Sequence, residues 1–278
     1  MQYSLKVIML ILFTATSIVS CNGGSMPEPK AQFPSIKDVS VAKWQSLSQK
    51  KIYFGHQSVG FNIIDGIKDV MKENPNVKLN IIETSNRADF NAPIFAHSRV
   101  GKNVDPKSKI DSFVESINQG IGEKADMAFF KFCYVDINGE TDVASLLEDY
   151  KTKLKQLQME YPNTKFIHMT IPLNTTKRTW KTRIKELIGK KDLWEYAGNI
   201  RKNEFNDLLK KEYGDKGVLF DLASVESTHP DGTHSTFAAN GKSYLSLATE
   251  YTKDGGHLNE KGRKIIAEQL LIFLANLT

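Results

Sequence analysis

The strongest constraint on this chain is an alternation. From residue 51 onward, short apolar runs give way repeatedly to segments whose apolar residues recur at helical spacing. The runs at Lys51–Phe54, Val77–Glu83, Met127–Cys133, Lys165–Ile171 and Val218–Asp221 are mostly unbroken in apolar side chains, which is the pattern of strands covered on both faces. Ile63, Ile64, Ile67 and Val70 predict a helix over Val59–Met71, and the turn-forming Asn74-Pro75-Asn76 separates it from the second strand. Ser108 is the predicted cap of a helix with Ile110, Phe113, Val114 and Ile117 inward, closing near Gly120 and Gly122. Thr141 is the predicted cap of a longer helix through Leu146, Leu147, Tyr150, Leu154 and Leu157, stopped by Pro162. Further helices are expected over Leu193–Tyr213 and Glu260–Leu274, whereas 84–107 lacks periodicity and reads as a long loop. Such repetition predicts an α/β chain: a three-layer αβα sandwich with a central parallel sheet of about five strands. Ligands of such sheets sit beyond the carboxyl ends of the strands. The segments to search are therefore Gly55–Gly60, the loop around Asn86–Asn103, Tyr134–Asp136, Pro172–Asn174 and the stretch before the last helix.

Composition narrows the class. The 278 residues are 40% hydrophobic and 25% charged, which excludes a disordered, collagenous or disulfide-stapled chain. The net charge of +5 is too mild for a nucleic-acid binder, and Lys50-Lys51 and Lys190-Lys191 read as solvated charges. At the start, Lys6 precedes the apolar run Val7–Phe13, and small or apolar residues continue to Ser20. This is the layout of a secretory signal over 1–20, too short for a membrane span. Ile18-Val19-Ser20-Cys21 resembles the bacterial lipobox, in which the cysteine is lipidated. The expectation is an exported protein anchored to the cell envelope by lipid on Cys21, with Asn22 favouring the outer membrane. Residues 21–35, with Gly23, Gly24, Pro27, Pro29 and Pro34, read as a flexible tether, and 36–278 as one domain. With Cys21 lipidated, Cys133 has no partner for an internal disulfide and reads as a buried thiol.

Two rim segments carry chemistry. In Gly55-His56-Gln57-Ser58-Val59-Gly60, a serine stands where a strand passes into a helix. Its hydroxyl is exposed there and its amide lies near a helix N-terminus, which suits a nucleophile as well as a plain N-cap. In Asp254-Gly255-Gly256-His257-Leu258-Asn259, a carboxylate three residues ahead of a histidine can fix the imidazole in one tautomer. The free ring nitrogen can then take a proton from a hydroxyl. Both segments fall at one rim of one sheet, which makes hydrolysis the leading reading.

Through these residues the chain resembles the SGNH or GDSL hydrolases. The likeness covers the domain in order: a serine after the first strand, a functional loop after Met127–Cys133, and Asp254 to Gly262 before the last helix. The resemblance implies Ser58 as nucleophile, His257 as general base and then acid, and Asp254 as its orienting partner. It also implies cleavage of acyl esters, frequently acetyl groups on carbohydrates, with no metal or organic cofactor. Two departures stand out. The usual Gly-Asp-Ser is replaced by Gly55-His56-Gln57-Ser58, and Val135 stands where the family carries a donor asparagine. Gly101 is the candidate backbone donor of the oxyanion site, and Gln57, Asn86, Asn103 and Tyr134 are candidate replacements for the missing side chain. His56 is expected to stabilise the turn or touch substrate, and His97 to lie in the rim loop.

Other groupings carry less. His229, Asp231 and His234 suggest a metal site only weakly against a surface turn around Pro230 and Gly232. His168 reads as a packed strand residue, and Gly241-Lys242-Ser243 lacks the remainder of a phosphate loop. Trp180, Trp194, Tyr196 and Tyr251 are candidates for sugar stacking, with core packing the plainer reading. The expected partners are an acylated small molecule or glycan and, through the lipid, a membrane; no nucleic acid is expected. An acyltransferase using the same triad, or a catalytically inactive glycan-binding lipoprotein, is the alternative to a hydrolase.

Overall fold

A computed structural model describes residues 33–176 and 194–278. The signal segment, Cys21, most of the tether, Trp180, Lys190-Lys191 and the side chain of Trp194 lie outside the described residues. Ordered contacts of the domain begin slightly before the expected boundary, since Pro34 O accepts from Gln269 Nε2 at 3.0 Å and Ser35 caps a short 3-10 turn.

Six parallel strands form the central sheet: β1 (Lys51–His56), β2 (Ile81–Glu83), β3 (Ile94–Arg99), β4 (Met127–Phe130), β5 (Lys165–Met169) and β6 (Leu219–Phe220). Their order is β2-β3-β1-β4-β5-β6, so β1 lies inside the sheet with chain leaving it toward both edges. The expected sandwich is the observed one, with a strand more than the five read from sequence. That strand, β3, falls inside the stretch 84–107 taken for a loop. It pairs with β1 along Lys51↔Ile94 to His56↔Arg99. Its His97, Ser98 and Arg99 disguise it, because His97 is buried and finds a polar partner inside the fold.

Alternation along the strands feeds two cores. Ile52, Phe54, Met127 and Phe129 face one layer, made of α1 (Val41–Ser48), α2 (Val59–Glu73) and α7 (Glu260–Asn276). Tyr53, Ala128, Phe130 and Phe166 face the other, made of α3 (Pro106–Ser116), α4 (Val143–Glu160) and α5 (Trp194–Tyr213). Two helices start elsewhere than the sequence suggests. Asp105, not Ser108, accepts the capping N–H of α3 with Pro106 at its first position, and Asp142, not Thr141, caps α4. Asp105 lies three residues before Ser108 and accepts its N–H, and Asp142, one residue after Thr141, accepts from Ser145 N–H; in both helices a carboxylate takes the capping position next to the hydroxyl residue. A short helix α6 (Leu222–Ser227) and the hairpin β7 (Thr236–Ala239) and β8 (Lys242–Leu245) complete the chain before α7. No helix among the described residues is long and apolar enough to cross a membrane.

Candidate active site

β1 delivers the chain to the centre of the carboxyl rim, and Ser58 opens α2 there with φ 41 and ψ −104. A non-glycine residue in this region is strained and is held by its surroundings. The cause lies beneath it. The His56 ring is fully buried between Phe54, at 4.7 Å, and Phe61, at 4.6 Å, and Gly60 closes over it. A Cβ at position 60 would fall 2.2 Å from His56 Cγ, so only glycine lets the first turn of α2 sit this low. His56 Nε2 lies 3.0 Å from His97 Nδ1 in β3. Burial, with the charges of Lys131 and Arg99 adding to it, pushes His56 down to about 2, so its ring is held neutral, and burial lowers His97 as well. His56 therefore braces the turn and cannot touch substrate, and His97 is a sheet residue rather than a rim-loop residue.

Ser58 is an N-cap by position but does not act as one. Its hydroxyl makes no hydrogen bond to the helix it opens. It lies instead 2.5 Å from His257 Nε2. His257 Nδ1 is 2.7 Å from Asp254 Oδ2. A carboxylate can only accept, so Nδ1 carries the ring proton and Nε2 presents a lone pair to the Ser58 hydroxyl. Asp254 Oδ1 also accepts the Gly256 N–H at 3.0 Å and the His257 N–H at 2.8 Å. Partial burial would raise this carboxyl, but the Gly256 N–H, the His257 ring and the His257 N–H outweigh it and draw it down to about 2. Asn62 of α2 accepts the Leu258 N–H at 3.2 Å and ties the histidine loop to the helix that Ser58 opens. Tyr134 stands edge-on to His257 with ring centroids 5.5 Å apart and its hydroxyl 3.4 Å from Nδ1. It lies on the Asp254 side of the imidazole, away from Nε2, and leaves Gly256 no room for a side chain.

The remaining sequence candidates separate. Gln57 Nε2 donates to Gly101 O at 2.8 Å, so its amide holds the loop after β3 instead of facing substrate. Gly101 takes φ 57, and among the described residues neither its N–H nor that of Ser58 donates to a protein acceptor. Two backbone amides, of Ser58 and of the Gly101 loop that Gln57 holds, thus keep a donor uncommitted within the fold. Asn86 caps the 3-10 turn before β3 through its own side chain and is absent from this group. Asn103 is exposed, with its Oδ1 2.9 Å from Lys109 Nζ. Val135 sits half-buried in the turn after β4 and offers no side-chain donor.

Elsewhere, His229 bonds Glu250 and His234 bonds Thr228 across a turn closed by His229 N–H to Thr233 O. No group of three potential metal ligands occurs among the described residues. His168 is packed as expected, bonded to Tyr150 Oη at 2.7 Å. Tyr251 is buried, donating to Thr228 O, and Tyr196 donates to Thr176 O. Cys133 is a free, buried thiol. A cavity of about 810 Å³ lined by Lys151, Phe166, His168 and Tyr213 opens toward the amino ends of β5 and β6, away from Ser58.

Sequence reasoning missed the support behind the histidine loop. Gly255 O accepts from Thr175 N at 2.9 Å and from Asn174 Nδ2 at 3.4 Å. Asn174 is clamped in turn by Asn199 at both backbone groups and by Lys202 at its side chain. One residue earlier, the Leu173 N–H donates to Glu226, whose fully buried carboxyl is pushed up to about 8 by burial, against the Leu173 N–H and the charges of Lys202 and Lys131. The folded chain therefore holds a proton there that the unfolded chain releases from pH 4.5 upward, so stability falls as pH rises from 4.5 to about 8. The slope for one proton is about 1.4 kcal/mol per pH unit. Glu226→Gln keeps the acceptor for Leu173 and removes the titration. Its stability in urea relative to wild type should grow across this window, and parallel pH profiles would refute the assignment.

No family model matches the chain, and no curated protein matches it. Among solved structures it is similar to a GDSL-like lipase from Bacteroides thetaiotaomicron, at 13% identity, TM-score 0.47, covering 85% of this chain and 96% of that one. It is also similar to the periplasmic domain of a Salmonella ser. Paratyphi A lipopolysaccharide acetyltransferase, at 14% identity, TM-score 0.47, covering 80% and 82%. A third is an acetyl esterase mutant with acetate ion, at 12% identity, TM-score 0.46, covering 82% and 98%.

Proposed function

We propose that this protein is a serine hydrolase of the SGNH kind that cleaves acyl esters, acetyl esters on carbohydrates foremost, while anchored to the cell envelope through lipid on Cys21. One observation carries the catalytic part of this reading: the Ser58 hydroxyl leaves its capping position to meet His257 Nε2, while Asp254 holds the opposite ring nitrogen. As Ser58 Oγ attacks the acyl carbon, its proton passes to Nε2, and the negative charge on the carbonyl oxygen falls to the Ser58 and Gly101 amides. Collapse of this intermediate expels the alcohol, which takes the proton from His257, and leaves acyl-Ser58. Water then attacks, gives its proton to His257 and releases the carboxylic acid, returning the proton to Ser58 Oγ. Transfer to an acceptor alcohol would use the same acyl-enzyme and differs only in what replaces water.

Fluorophosphonate labelling of fractionated cells tests both parts. The expected result is a single adduct on Ser58, recovered with membranes and shifted to the soluble fraction by Cys21→Ala. A folded wild-type chain without an adduct would overturn the hydrolase reading, and an adduct that stays soluble in wild type would overturn the anchor.

A further inference from the structure

Arg99 ends β3 at the carboxyl rim and is exposed there. In the β1–β3 register it lies opposite His56, two residues before Ser58. Its guanidinium carbon stands 4.6 Å from the centre of the Phe61 ring. Phe61 belongs to the first turn of α2, where its N–H donates to Ser58 O at 2.9 Å. The two residues that locate the cation, His56 and Phe61, thus bracket the serine along the chain. The loop that follows Arg99 is fixed as well. Gln57 Nε2 holds Gly101 O, and Asp136, paired with the buried Lys109, accepts the Val104 N–H at 2.9 Å and the Cys133 N–H at 2.6 Å.

The other arginines show what is unusual about this one. Four arginines fall among the described residues. Three of them, Arg87, Arg201 and Arg263, pair with the carboxylates of Glu123, Glu204 and Asp69. Among the described residues Arg99 has no carboxylate partner, although Asp65 of α2 and Glu83 of β2 lie on neighbouring elements. Phe61 holds the cation by the face of its ring and offers the N–H groups no oxygen. The planar fork of donors therefore stays open to solvent while its position is fixed. Such a fork matches a carboxylate, which it takes through two parallel hydrogen bonds.

We propose that Arg99 receives a carboxylate carried by the substrate, so that the ester cleaved at Ser58 belongs to an acidic molecule, an acetylated acidic sugar foremost. The inference rests on the serine-hydrolase reading above and deepens it. Two ester pairs test it and tell which half of the substrate bears the charge. One is meta-acetoxybenzoate with its methyl ester, charged on the alcohol side. The other is mono-p-nitrophenyl adipate with p-nitrophenyl hexanoate, charged on the acyl side. For at least one pair the charged-to-neutral ratio of kcat/KM is expected to fall on the order of 10- to 100-fold in Arg99→Met. Arg99→Lys, which keeps the charge and loses the fork, should show a smaller fall. Because the readout is a ratio within one variant, a general loss of activity or of folded protein cancels. Ratios in Arg99→Met within about threefold of wild type for both pairs would overturn the inference. So would a wild type that labels with fluorophosphonate at Ser58 but cleaves neither charged ester, and in both cases the label leaves the hydrolase reading standing. A wild type that neither labels at Ser58 nor cleaves any of the four esters would overturn the hydrolase reading, and this inference with it.

Discussion

Asp254→Asn is expected to lower kcat about 10⁴-fold with the fold intact, and His257→Ala to lower it about 10⁴- to 10⁶-fold. The asparagine variant is the more informative. Its amide oxygen can still take the Gly256 and His257 N–H groups that Asp254 Oδ1 now accepts, so the loop geometry survives. Its NH₂, however, would donate to Nδ1 where Oδ2 now accepts, and the ring proton would move to Nε2. An Nε2 bearing hydrogen cannot take the proton of Ser58. Steady-state kinetics with p-nitrophenyl acetate, beside thermal unfolding, reads both sides. A kcat within tenfold of wild type would show that Asp254 does not set the tautomer.

The largest effect on stability is expected at Lys109→Met. Both partners of the Lys109–Asp136 pair are wholly buried, so removing the cation strands a carboxylate in the interior. The expected loss is about 3–5 kcal/mol, measured by urea unfolding, although methionine fills much of the same space. Adding Asp136→Asn removes the stranded charge, and the double variant should lose less than the two single losses combined, with a coupling on the order of 0.5–3 kcal/mol. A single variant as stable as wild type would mean that the two backbone N–H groups satisfy Asp136 unaided.

The legible parts of this molecule were those whose signal is local. Ser58, Asp254 and His257 could be picked out because each sits at a strand-to-helix or loop-to-helix junction, where an α/β sheet places its ligands. The helices around Ile63 to Val70 and Leu146 to Leu157 announced themselves by spacing. β3 did not, because a buried His97 looks like loop chemistry until His56 is known to lie opposite it. Gln57 and His56 were both drawn toward substrate by their nearness to Ser58 in sequence, whereas side chains on successive residues of a strand exit point in different directions. Lys109 was invisible for a related reason: a lysine on an amphipathic helix reads as solvated. The available clue was its position four residues before the buried Phe113, on the inward stripe of α3.

Ser58 and His257 are 199 residues apart in sequence. α2 and α7 pack side by side in the same layer, and the Asn62 contact to the Leu258 N–H fastens the two ends of the domain at the reacting atoms. A loop of this length must therefore close before any proton can move between Ser58 and His257. Since a chain is made from its amino end, Ser58 exists through nearly all of synthesis without His257 beside it. On the hydrolase reading proposed above, reactivity toward esters arrives only with the last helix, so the growing polypeptide would carry Ser58 past every ester in the cell in a silent form.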